Sequence, residues 1–141
     1  MKRHLALRDL SRDHHHALVV AQRLKRAEGS TAPTAQAAFL DYWQAEGRRH
    51  FRLEEETLLP ACAGLIDADH PLIARVLTDH VRIRHLADRL SADEHTQLEL
   101  EHELGRLLER HIRLEERELF ALIESTLPEP ELQRLVSALA H

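Results

Sequence analysis

Apolar residues recur every three or four positions along most of this chain, the spacing of one face of a helix. In a first segment the stripe is Leu7, Leu10, His14, Ala17, Ala21 and Leu24. In a third it is Ile73, Val76, His80, Ile83, Ala87 and Leu90. Each is apolar except for one histidine near its middle. Ser11, a favourable N-cap, predicts a first helix from there to about Glu28. The loop Gly29-Ser30-Thr31-Ala32-Pro33 separates it from a second helix, expected from Thr34 to Leu59, where Pro60 and Gly64 end or kink it.

Asp69-His70-Pro71 opens a third helix, with proline in the first turn, where its missing N–H costs nothing. It is expected to end near Leu90. Ser91-Ala92-Asp93 forms a tight link whose Ser or Asp caps a fourth helix reaching about Thr126. Pro128 and Pro130 then precede a short amphipathic helix, Glu131 to Ala140. Four long helices with short links predict an all-α fold, an up-down-up-down four-helix bundle with a short C-terminal helix.

Composition supports one such domain over residues 1–141. The chain is 43% hydrophobic and 30% charged, with three Phe, one Trp and one Tyr, a mix that favours helices over strands. A net charge of −5 leaves no broad basic field for nucleic acid or anionic lipid. The longest apolar run, Leu58 to Ile66, is too short to span a bilayer. The start, Met1 to Asp9, lacks the apolar stretch of a signal peptide. One cysteine, Cys62, makes no intramolecular disulfide and reads as a structural thiol. A soluble cytoplasmic protein is expected.

Twelve histidines are the outlier. His-x-Arg-Leu-Glu-Glu occurs twice, as His50-Phe51-Arg52-Leu53-Glu54-Glu55 and His111-Ile112-Arg113-Leu114-Glu115-Glu116. A His and a Glu four residues apart lie on one helical face and form a two-ligand unit for a transition metal. Asp13-His14 followed by Ala21-x-Arg23-Leu24 also matches Asp79-His80 followed by Ala87-x-Arg89-Leu90. The repeat is thus a helical hairpin with one His on its first helix and His-x-x-x-Glu on its second. Two such hairpins pack with approximate two-fold symmetry.

The inward-facing polar set is then His14, His50, Glu54, His80, His111 and Glu115. Burying such groups is costly without a common compensation, and two divalent or trivalent ions supply one. Imidazole with carboxylate suits iron, manganese or zinc rather than magnesium or calcium. Taken singly, His14 or His80 reads as a hydrogen-bonded core histidine, and Glu54 or Glu115 as part of a solvated face. The joint pattern on four inner stripes favours metal. His15 is the alternative to His14, and His16 flanks it. His85 falls behind the ligands or in solvent. Glu55 and Glu116 fall one step off the inner face, with Glu116 a ligand if the helix is distorted. Arg52 and Arg113 read as exposed salt-bridge partners, and His4, His70, His95, His102 and His141 as solvated. Other two-metal patterns are poor: a single Glu99-x-x-His102 is the one Glu-x-x-His match.

These residues resemble the hemerythrin-like, or HHE cation-binding, family over nearly the whole chain. The resemblance rests on Asp13-His14, His50-x-x-x-Glu54, Asp79-His80 and His111-x-x-x-Glu115-Glu116. It implies a non-haem di-iron centre in the bundle core, with Glu54 and Glu115 bridging and His14, His50, His80 and His111 as terminal ligands. Arg84 stands where the oxygen carriers of that family have a further His, while Glu116 does fill the acidic position. The four-His, two-Glu set looks more like members that act in iron sensing, nitric oxide response or repair of iron centres. The resemblance therefore implies a di-iron protein that binds or reacts with O2, NO or peroxide. The alternatives are a peroxide-consuming oxidoreductase, an iron store or sensor, and a structural site filled by zinc or manganese. A protein partner or a second copy would need an exposed apolar patch, for which the tail residues Leu132, Leu135, Val136 and Leu139 are the candidates.

Overall fold

The computed structural model describes residues 2–92 and 97–141. Among them it contains five helices and no strand: α1 (Leu5–Lys25), α2 (32–62), α3 (Pro71–Ala92), α4 (98–126) and α5 (Glu129–Leu139). Cross-helix bonds fix the directions. Asp13 and His16 of α1 meet His50 and Glu46 of α2, and Gln36 and Glu55 of α2 meet Leu90 and Arg84 of α3. His14 and Lys25 of α1 meet Glu116 and Glu109 of α4. Neighbours in sequence are antiparallel, so the bundle runs up-down-up-down, as the periodicity predicts. No helix among the described residues is long and apolar enough to cross a membrane.

Several boundaries differ from the sequence expectation. α1 starts at Leu5, capped by His4, whose Nδ1 accepts from the Ala6 N–H at 2.9 Å. Ser11 lies inside the helix, and its hydroxyl donates to Glu116. α1 ends at Lys25, three residues before Glu28. α2 begins at Ala32 with Pro33 in its first turn and continues through Pro60 to Cys62. Pro60 comes one residue after a wide turn, Glu54–Leu58, at the start of the helical segment Leu59–Cys62, where its missing N–H is tolerated. Ser91 stays within α3, and α4 is preceded by Gln97 without a side-chain cap. Asp93, the other expected cap, and His95 lie outside the described residues.

Every member of the two predicted stripes is buried. The apolar core nevertheless falls into two clusters along the bundle axis. One contains Leu24, Phe39, Trp43, Ile83, Leu90 and Leu104; the other contains Leu7, Leu58, Val76, Leu119, Phe120 and Ile123. α5 closes the second cluster with Leu132, Leu135 and Leu139, and Val136 packs against it half-buried. The tail therefore packs its leucines onto the core. Gly105 lets α1 and α4 approach closely: a Cβ there would meet the Lys25 backbone N at 2.7 Å and the Ala21 carbonyl at 2.8 Å.

Candidate metal centre

The six predicted residues come together in the seam between the two apolar clusters. His14 lies on α1, His50 and Glu54 on α2, His80 on α3, and His111 and Glu115 on α4, all of them buried. Their donor atoms form two groups, His14, His50, Glu54 and Glu115, and His80, His111, Glu54 and Glu115, with all atoms of each group within 4.8 Å of one another. Each hairpin thus contributes its own pair of imidazoles, and both carboxylates belong to both groups.

Each imidazole is held from behind by a second carboxylate. His50 Nδ1 lies 3.0 Å from Asp13 Oδ2, and His111 Nδ1 3.2 Å from Asp79 Oδ2. His14 Nδ1 lies 2.8 Å from Glu116 Oε1, and His80 Nδ1 2.6 Å from Glu55 Oε2. A carboxylate there accepts the Nδ1–H and leaves the Nε2 lone pair to face the centre. Glu116 also accepts from Ser11 and Arg3, and Glu55 from Arg84. Arg84 thus grips the outer carboxylate.

All four Nε2 atoms point at Glu54 and Glu115. His80 Nε2 lies 3.1 Å from Glu54 Oε1 and His111 Nε2 3.0 Å from Glu115 Oε2. His50 Nε2 lies 3.2 Å from Glu54 Oε2, and His14 Nε2 2.9 Å from Glu115 Oε1. Most of these approaches lack the alignment of a hydrogen bond. Among the described residues, Nε2 of His50, His80 and His111, both oxygens of Glu54 and Oε2 of Glu115 are buried without a hydrogen-bond partner. Orphaned buried atoms of this kind are expensive. They converge from four helices on common points, and a cation there would satisfy them together. The donor set therefore fits metal ions.

Electrostatics agree. Burial opposes charge on the four histidines, but the carboxylates around them outweigh it. His80 is raised to about 11 and His111 to about 9, and His14 and His50 also stand above the ordinary value. Burial pushes Glu115 up, and His111, His14 and His50 pull it well below the carboxylate range. The same contest leaves Asp13, Asp79, Glu55 and Glu116 low. The cluster calls for positive charge at its centre.

Local helix geometry places the two Glu-Glu pairs. The Leu59 N–H donates to the Glu54 carbonyl and the Phe120 N–H to the Glu115 carbonyl, so a π turn begins at each inner glutamate. A π turn holds one more residue than an α turn and rotates the following face relative to the preceding one. A third, Trp43–Gly47, precedes His50. Aromatic rings then clamp one imidazole per group. Phe51 stacks on His80 at 3.8 Å between centroids, and Phe120 on His14 at 5.5 Å. Arg84 lies over Phe51 and Arg3 over Phe120.

Residues read from the sequence as flanking or solvated prove to matter here. Asp13 and Asp79 precede the repeated histidines, and Glu55 and Glu116 are the second glutamates of the hexamer; both doublets were the available signals. His141 was expected in solvent, yet its side chain is 8% exposed and its Nε2 lies 2.5 Å from Asp13 Oδ2. His4 pairs with Glu129, His70 accepts from the Leu72 N–H, and His102 donates to the Ala27 carbonyl. His15, His16 and His85 are exposed, and Arg52 and Arg113 pair with Glu56 and Glu109 on the surface.

The family model for the hemerythrin HHE cation-binding domain matches residues 5–123. The chain belongs to the hemerythrin HHE cation-binding family. That match begins with α1 and ends near the close of α4, so it takes in all six inner residues and the four carboxylates behind them. No curated protein and no solved structure matches the chain. The HHE match together with the buried His/Glu cluster makes this a cation-binding bundle.

Proposed function

We propose that the chain is a non-haem di-iron protein of the cytoplasm that binds or reacts with a small ligand, O2, NO or peroxide, in sensing or stress response. The observation that carries this reading is the pair of four-donor groups sharing Glu54 and Glu115. His14 and His50 would hold one ion and His80 and His111 the other, with both glutamates reaching both. Four buried donors per ion, two of them shared, would leave an iron ion positions for a small ligand. Bound iron would supply redox chemistry and affinity for a diatomic or peroxide.

The chain's own residues prepare that chemistry. Asp13, Glu55, Asp79 and Glu116 fix each imidazole in the Nε2-ligating tautomer. Phe51 and Phe120 keep water from one face of His80 and His14. The test is anaerobic expression, metal measured per chain, then addition of O2, NO and peroxide with visible spectra. Two irons per chain and charge-transfer bands in the oxidised form support the proposal. Zinc as the sole bound metal, or full metal retention in the double variant Glu54→Ala, Glu115→Ala, overturns it. Peroxide loss faster than with free iron favours the oxidoreductase alternative.

A further inference from the structure

The two halves of the centre are alike inside and different behind. Behind His80 and His111, Arg84 Nη1 donates to Glu55 at 2.9 and 2.6 Å, and Arg75 Nε lies 3.5 Å from Asp79. Both arginines belong to α3, the helix that carries His80 and Asp79. Behind His14 and His50 the corresponding partners come from outside the helices. Arg3 Nη2 donates to Glu116 Oε2 at 2.9 Å, and His141 Nε2 lies 2.5 Å from Asp13 Oδ2. Arg3 precedes α1 and His141 follows α5. From the helices, Ser11 of α1 donates to Glu116, and Asp9 and Arg12 of α1 hold the His141 backbone, Asp9 accepting from its N–H at 3.0 Å and Arg12 donating to its carbonyl at 3.3 Å.

We propose that the His14–His50 position is the exchangeable one of the two metal positions, and that the segments carrying Arg3 and His141 form its clamp. The inference rests on the two-ion reading above. An outer carboxylate orients the imidazole it touches, and its own partners keep it in place. Non-helical segments open at lower free energy than the interior of a long helix. Releasing Arg3 and His141 loosens Glu116 and Asp13 while every helix stays intact. Loosening Glu55 and Asp79 requires distortion of α3 itself. The Arg3 segment is held in turn by Glu124, which accepts from Arg3 Nη1 and from the His4 N–H, and by Glu129 beside His4 Nε2. Asp79, whose side chain is 4% exposed, is the more enclosed of the two aspartates; Asp13 is 10% exposed.

The test is the release of Fe(II) from the anaerobically loaded full chain into a colorimetric ferrous chelator. Total iron per chain is measured first. Two release phases of one ion each are expected. Arg3→Gln and His141→Gln should each speed the fast phase by about tenfold and leave the slow phase unchanged, in the range by which outer partners tune metal sites. Arg3→Lys, which keeps the charge, should restore most of the delay. Arg84→Gln should speed the slow phase instead. His14→Ala should leave one ion released at the slow rate, and His80→Ala one ion released at the fast rate. A single phase for two ions, or equal acceleration of both phases by Arg3→Gln, overturns the clamp while leaving the two-ion reading intact. Fewer than two ions before chelation overturns the two-ion reading, and the clamp with it.

Discussion

Glu55 accepts a hydrogen bond from His80 Nδ1 at 2.6 Å, although Glu55 is the outer, half-buried residue of its Glu-Glu pair. Glu54, one residue earlier, lies 3.1 Å from the other nitrogen of the same ring. Adjacent glutamates therefore address the two edges of one imidazole. Glu55→Ala is expected to weaken metal binding about 10- to 100-fold, the usual effect of removing such a partner. Glu116→Ala should do the same through His14. Chelator competition measures both, and unchanged affinity in both variants would contradict the role given to the outer carboxylates.

Gly105 sits where α1 and α4 touch, with backbone atoms of Lys25 and Ala21 inside the reach of any Cβ. Backbone does not move aside as a side chain can, so Gly105→Ala should push the helices apart. A loss of about 1–3 kcal/mol is expected, as for overpacking in a close-packed core. Urea unfolding of the two proteins reads it directly. Stabilisation by the alanine, as helix propensity alone would give, would show that the contact yields easily.

Glu101 lies on α4, fully buried, and neither carboxylate oxygen has a hydrogen-bond partner among the described residues. Burial raises its carboxyl to about 7. The folded state therefore holds this proton more tightly than the unfolded chain, whose glutamates titrate near ~4.3. Stability from this group is full below the unfolded value and falls as pH rises towards about 7, then levels off. Glu101→Gln removes the buried charge. It should raise the unfolding free energy by about 1–3 kcal/mol at pH 8 and change it little near pH 4. An equal effect at both pH values would rule out ionisation as the cause.

Orphaned donor atoms in the centre predict a marked dependence of stability on metal. An ion that binds only the folded chain stabilises it by about 2.7 kcal/mol at a hundred times its dissociation constant. Chelation should lower the melting temperature. Re-addition of metal should restore it in the wild type and fail in the Glu54→Ala, Glu115→Ala variant. A melting temperature indifferent to chelation in fully demetallated protein would argue against a folded-state site.

Helix number, order, inner stripes and the six inner residues were legible in the sequence, because each depends on local periodicity. His14 and His80 interrupt apolar stripes, and His50, Glu54, His111 and Glu115 repeat at one-turn spacing. The pairing of His14 with His50, and of His80 with His111, depends on how the helices are rotated and aligned against one another, which no spacing within one helix specifies. The roles of Glu55 and Glu116 belong to the same class, since they act on histidines of other helices and sit in π turns that a regular 3.6-residue count does not anticipate. Arg3, Ser11 and His141 lie more than a hundred positions from one or more of their partners, and only the packing of α1, α4 and α5 brings them to the centre. The sequence by itself determined a helical bundle with a paired His/Glu core. The tertiary structure alone decided which histidine faces which carboxylate, because that choice is made by contacts between helices.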